Sequence, residues 1–266
     1  MQWIYDLPSW IFGVIIMAAF VAIACGGHSL IRRHFPTELL KGHNDVAGFI
    51  AAIVGTVYAV LLSFVVIVVW QEFDNASSYV QREASAVTDL YHLAYGLPPK
   101  QRALLQLRLR TYTNVMIDDE WPRMKRGLES ARGDLVGNDI LREVISLTPK
   151  TEDERQIRSE ALRNIQVFFD ARHDRLNANA TSVPNILWFT LILGAVITIG
   201  FTFFFGTKNG GAQLIMTGGL AALIAIMFAL IIQLDLPFRG NTRVEPDAFI
   251  RFQNEMATSG ENAYRP

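Results

Sequence analysis

Five histidines, one cysteine and a few short charged runs are the residues whose types could do chemistry. His34 and His43 fall near Asp45, a combination that would suit a metal ion given a third ligand at fixed spacing. No such ligand follows, and solvated loop histidines account for the pair. Asp118-Asp119-Glu120 could bind a cation, but adjacent acids do not converge on one point, so a solvated helix end is expected. Arg172-His173-Asp174-Arg175 stands just before a long apolar stretch. There it would either meet lipid headgroups or ions at a vestibule, or form a plain solubilising face. No phosphate loop, dinucleotide turn, nucleophile elbow or paired-histidine metal spacing occurs. The reading is therefore of a non-enzyme without cofactor or metal.

The most specific spacing is of small residues. Ala47, Ala51, Gly55, Ala59 and Ser63 recur every four residues, with Gly48, Ala52 and Thr56 in a neighbouring row. Such rows let helices approach closely in lipid. They serve either tight packing within one bundle or a pore or oligomer axis onto which Thr56 and Ser63 turn hydroxyls. On the second reading Ala52, Thr56, Ala59 and Ser63 line a conduction path, and Arg172, Arg175 and Arg239 stand at its mouth and favour anions.

These positions need elements to hold them. A mean hydropathy of +0.24 conceals a segregation: residues 71–183 carry most of the charge, and four apolar stretches carry none. The stretches run from about Ile11 to Ile31, Val46 to Trp70, Ile186 to Phe205 and Ala212 to Leu234. Each has roughly the 20 residues that cross about 30 Å of hydrocarbon as a helix. The first is no signal peptide by pattern, since no Lys or Arg precedes it and it exceeds an h-region. Trp3, Trp10, Trp70 and Trp188 fall near span ends, where interfacial aromatics belong.

The fold class expected is an all-α membrane protein: a transmembrane hairpin over residues 1–70, a helical extramembrane insert over 71–183, a second hairpin over 184–234 and a tail over 235–266. Spans three and four are joined by the short loop Gly206–Gly211. The second span continues past the membrane without Gly or Pro to Ala94, giving a helix about 75 Å long from Asp45 to Tyr95. Phe73, Val80, Val87 and Ala94 recur every seven residues, a coiled-coil-like stripe that could join protomers into a homo-oligomer. A last insert helix from about Glu152 towards Ser182 forms a second stalk continuing into span three, with Pro184 at the junction. Between the stalks, Lys100 to Glu120 reads as helix, Gly127, Gly133 and Gly137 as loop, and Asn138 or Asp139 as the cap of a short helix. After span four, Asp235 and Arg239 are spaced to pair. Pro246 can open an amphipathic helix with Phe249, Ile250 and Phe252 that fastens the tail.

Expected partners are the lipid bilayer, further copies of the chain and small ions. A net charge of −1 offers no field for nucleic acid. The lone Cys25 excludes a disulfide within the chain. Arg32, Arg33 and Lys41 follow the first span with nothing basic before it, and Lys208 lies in the other short loop. The positive-inside rule puts both loops in the cytoplasm and the N-terminus, insert and tail outside. Arg172, Arg175, Arg239 and Arg243 flank spans on the opposite side.

Several segments carry a family resemblance. They are His43–Phe49 opening span two, Tyr58-Ala59-Val60-Leu61-Leu62 and Trp70 within it, and Glu83-Ala84 with Leu90-Tyr91. Gly200-Phe201-Thr202, Leu234–Gly240 and Val244-Glu245-Pro246 complete the set. Together they resemble the bestrophin-like domain of mainly bacterial four-span membrane proteins, which implies the bacterial inner membrane. True bestrophins are pentameric anion channels with two spans, a helical insert and two more spans, and a pore lined by the second. The resemblance thus implies an anion channel with span two at the axis and a cytosolic insert, against the orientation read from Arg32 and Arg33. The alternative is a membrane-anchored helical scaffold or sensor that conducts nothing. The neck and calcium-clasp residues of bestrophins do not map onto this chain.

Overall fold

Each of the four charge-free stretches is helical, and each helix is long and apolar enough to cross a membrane. The computed structural model describes residues 8–34, 44–207 and 209–262. Its helices are α1 (Ser9–His34), α2 (Asn44–Leu93), α3 (Pro99–Val115), α4 (Trp121–Met124), α5 (Ala131–Ser146), α6 (Glu152–Ala180), α7 (Asn185–Phe203), α8 (Gly210–Leu234) and α9 (Asp247–Asn262). No strand occurs among the described residues. Lys41, His43 and Lys208 and the Asp45 side chain lie outside the described set. The chain divides into two compact units, Met1–Glu72 with Ser182–Asp235 and Phe73–Thr181 with Leu236–Pro266.

The first unit contains the four spans. Span two packs on span three through Tyr58, whose hydroxyl donates to the Leu191 carbonyl at 3.0 Å. Gly194 makes that approach possible, because a Cβ there would overlap the Tyr58 ring. Asn44 fixes the start of α2 by a reciprocal pair with the Gly206 backbone, at 3.1 and 2.9 Å. Asn209 caps α8 through the amides of Gly211 and Ala212. Gln213, buried beside it, donates to the carbonyls of Thr202 and Phe205. These bonds satisfy backbone groups that hydrocarbon would leave without a partner.

The second unit is built on the α2 continuation, which runs unbroken to Leu93. The stripe of Phe73, Val80 and Val87 does not stay open. Val80 and Val87 are 2% and 0% exposed in this unit's own core, with Phe73 packed at its edge. The same core cluster contains Leu105, Leu109 and Tyr112 of α3 and Phe249 and Phe252 of α9. The heptad is thus an intramolecular seam, because the insert helices and tail supply the apolar surface that a second protomer would otherwise bring.

Helices α6 and α7 break at the expected Pro184 junction, with Thr181 and Pro184 extended at ψ 139° and 140°. Pro184 has no N–H for the Ala180 carbonyl and disfavours the helical region at Val183. Gly133 and Gly137 lie inside α5, which Ser130 caps by accepting from the Gly133 amide. They are small because α5 packs closely: a Cβ on Gly133 would overlap the Glu120 carboxylate, and one on Gly137 would touch Phe168 and Tyr112 at 3.7 Å. After α3, residues Met116–Glu120 widen into a π-turn closed by the Trp121 amide on the Met116 carbonyl.

Candidate functional site

On span two the side chains sort by helical position. Tyr58, Leu62, Val65 and Val69, at 3–4 residue spacing, are buried inside the membrane unit. Phe49, Ile53, Val60, Phe64 and Ile67 are exposed and bulky, as a lipid-facing side requires. Between these two sides lie Ala52, Thr56, Ala59 and Ser63, all exposed. Among the described residues no helix of the same protomer covers this narrow face, and Gly55 beside it has open space where a Cβ would stand. The hydroxyls are already engaged: Thr56 donates to the Ala52 carbonyl and Ser63 to the Ala59 carbonyl, both at 2.8 Å. In that rotamer they turn acceptor lone pairs outward, so the face offers neutral polarity without donors.

The second constellation lies inside the other unit. Arg175 is 0% exposed. It donates through Nε and Nη2 to the two oxygens of Glu83, at 2.5 and 3.0 Å, and through Nη2 to Glu120 at 2.7 Å. Arg172 grips Glu120 with both terminal nitrogens, at 2.7 and 3.0 Å, and reaches Asp134 at 2.8 Å and the Tyr112 hydroxyl at 3.1 Å. Tyr112 in turn donates to Glu83. Arg175 also lies over the Trp121 ring, 5.2 Å from its centre. Burial alone would lower the pKa of both guanidiniums. The surrounding partners, Tyr112 and Glu120 for Arg172 and Glu83 and Glu120 for Arg175, more than offset it and hold both pKa values above the ordinary arginine value. Burial, then the Glu83 charge, pushes the Tyr112 phenol well above its usual value.

Arg172 and Arg175 therefore sit neither on a solvated face nor at an open mouth. They continue the buried stripe of α6, where Ala161, Ile165, Phe168, Arg172 and Arg175 follow at 4–3–4–3 spacing. Arg239 is half-buried and donates to the Asn179 carbonyl near the C-terminus of α6 at 3.3 Å, where its charge suits the helix dipole. Asp235 accepts from the Val183 amide at 2.5 Å. The run at 118–120 divides. Asp119 is held below its usual value by Ser130 and Arg123, whereas the π-turn carries Glu120 into the core at 0% exposure. Glu83, Tyr112 and Glu120 were missed as partners. The available signal was one of phase, since Glu83 interrupts the apolar side of Val80, Ala84 and Val87, and a carboxylate there needs a cation.

Each buried charge in this cluster touches an opposite one, so its chemistry is to lock α2, α3, α5 and α6 together. No group of three or more metal-ligating residues occurs among the described residues. The tail joins the same unit: Phe238 and Phe249 meet Trp121 edge-on, at 6.0 and 5.9 Å between ring centres, and the Trp121 indole donates to the Val244 carbonyl. No curated protein matches the chain. The family model of the Bestrophin-like domain matches residues 18–249, from the first span through the start of the tail helix. Four apolar helices, the helical insert and that match identify the chain as a multi-pass membrane protein belonging to the bestrophin-like family.

Proposed function

We propose that the chain assembles into a homo-oligomeric, anion-conducting channel with span two at the axis. The observation that carries this reading is the uncovered face of Ala52, Thr56, Ala59 and Ser63. Span two already has one side inside its protomer and one bulky side for lipid. A third side of small and hydroxylated residues fits close approach between copies around a narrow path. Family membership supports it, because the resemblance to bestrophins implies anion conduction along the second span.

The wall so formed is neutral and, with its hydroxyl protons engaged, does not itself coordinate anions. Anion preference then comes from cations outside the membrane. In the soluble unit, two adjoining cavities of about 230 and 260 Å³ share Gln81, Ala248 and Arg251 between the α2 continuation and α9. Arg251 is exposed and makes no ion pair among the described residues. For orientation, Arg32 and Arg33 at the end of span one favour the insert outside the cytoplasm.

One observation favours a second reading, the non-conducting scaffold. Hydroxyls bonded to their own helix are what packing alone would produce. Planar-bilayer recording with asymmetric potassium chloride separates the two. The channel reading expects discrete currents that reverse near the chloride equilibrium potential. Silence from purified, correctly assembled protein would leave the scaffold.

A further inference from the structure

The membrane unit contains a cavity of about 330 Å³ that neither the uncovered face of span two nor the buried charge cluster uses. Phe20, Ile23, Ala24 and Gly27 of α1 form one wall, with Ile192, Val196 and Phe203 of α7 and Phe228 of α8 among the others. The lining is wholly apolar, and Ile23, Ile192 and Val196 on its rim are 74%, 53% and 63% exposed, so it opens where the surrounding medium is hydrocarbon. Gly27 keeps one end clear, since a Cβ there would stand 3.2 Å from the Phe203 ring.

Behind Phe203 at that end, next to Gly27 in sequence but not itself lining the cavity, sits a polar group without a partner among the described residues. His28 is 3% exposed, and neither ring nitrogen has a hydrogen bond among the described residues. Its ring packs on Phe203, 5.9 Å between centres, against the residue that closes the cavity. A buried imidazole unsatisfied at both nitrogens is costly, more so inside a membrane span. One turn further along α1, Arg32 spends one nitrogen on the Thr207 carbonyl at 2.8 Å, and that is its only hydrogen bond among the described residues. From Phe20 to Arg32 the helix rises about 18 Å. Along that distance the groups pass from apolar slot, to imidazole, to guanidinium. A phospholipid presents the same order, from acyl chain through ester carbonyl to phosphate.

We propose that the cleft between α1, α7 and α8 is a binding site for one anionic phospholipid. An acyl chain fills the cavity, the ester carbonyl accepts from the His28 imidazole, and the phosphate meets Arg32. The site is independent of whether the protein conducts, because its readout is bound lipid.

The test is native mass spectrometry of the full chain, delipidated in detergent and titrated with phosphatidylglycerol or with phosphatidylcholine of the same chains. Wild type is expected to retain one phosphatidylglycerol per chain and to prefer it over phosphatidylcholine. Gly27→Leu, which fills the slot, should lose that adduct. His28→Phe keeps the ring volume and removes the donor, and should weaken retention by roughly tenfold, the equivalent of one hydrogen bond of about 1.4 kcal/mol. Should Gly27→Leu misfold, His28→Phe and Arg32→Gln decide alone. Equal retention by wild type, His28→Phe and Arg32→Gln would overturn the site. So would equal affinity for the two headgroups.

Discussion

Replacing Arg175 with methionine lowers the unfolding free energy of the soluble unit by about 3–5 kcal/mol, the loss expected when one partner of a buried ion pair is removed. Arg175 has no exposed surface and gives three hydrogen bonds to Glu83 and Glu120. Its removal leaves Glu83 charged and buried with the Tyr112 hydroxyl as its remaining hydrogen-bond donor and the Arg172 guanidinium 4.0 Å away, while Glu120 keeps its direct bonds to Arg172. The effect therefore comes from an under-paired carboxylate more than from the lost attraction, and pairing Arg175→Met with Glu83→Leu should restore much of it. Denaturant unfolding in detergent measures this through Trp121, the one tryptophan that the sequence places in that unit. Arg155→Met is the control. Its partner Glu152 is mostly exposed, so its loss should stay within about 1 kcal/mol. A similarly small loss for Arg175→Met would show that the cluster does not hold the unit together.

The sequence shows some of this directly and hides the rest for identifiable reasons. The spans are legible because hydrocarbon demands a long run without charge, and residues 46–70 and 212–234 satisfy it unambiguously. The α2 continuation is legible because nothing between Gln71 and Ala94 breaks a helix, and the tail helix because Phe249 and Phe252 follow Pro246 at helical spacing. What covers a stripe is not legible. Val80 and Val87 look the same whether a second copy or the chain's own insert and tail helices α3 and α9 complete the core around them. Loop assignments failed at Gly133 and Gly137 because glycine marks close approach as readily as a turn. Glu120 was hidden because a π-turn shifts the helical phase, so its neighbours Asp118 and Asp119 suggest solvent while Glu120 itself points inward. His28 is hidden in the sequence because a single neutral histidine does not interrupt an apolar span, and only its burial sets it apart.

Thr56→Leu should abolish most of the current while leaving particle mass unchanged. Thr56 lies on the uncovered face of span two, and leucine there replaces a hydroxyl with a larger apolar group. In a narrow neutral path that change both constricts and dries the opening. A barrier raised by only about 1.4 kcal/mol already cuts a rate about tenfold. Thr56→Ala and Ser63→Ala should act weakly, because their hydroxyl protons are spent on the Ala52 and Ala59 carbonyls. Single-channel recording beside mass photometry gives both quantities. Unaltered conductance in Thr56→Leu particles of normal mass would take the residue off the conduction path.

In the proposed channel the face of Ala52, Thr56, Ala59 and Ser63 meets water at an axis while the adjacent bulky side meets lipid. The most direct measurement is the rate at which a charged, membrane-impermeant thiol reagent modifies single cysteines in reconstituted protein, with Cys25→Ala as background. Ser63→Cys lies on the proposed axial face, and Phe64→Cys, one residue on, replaces a side chain 64% exposed on the bulky side. Fast modification of Ser63→Cys and negligible modification of Phe64→Cys are expected. Both thiols inert in assembled protein, or Phe64→Cys the faster of the two, would contradict it.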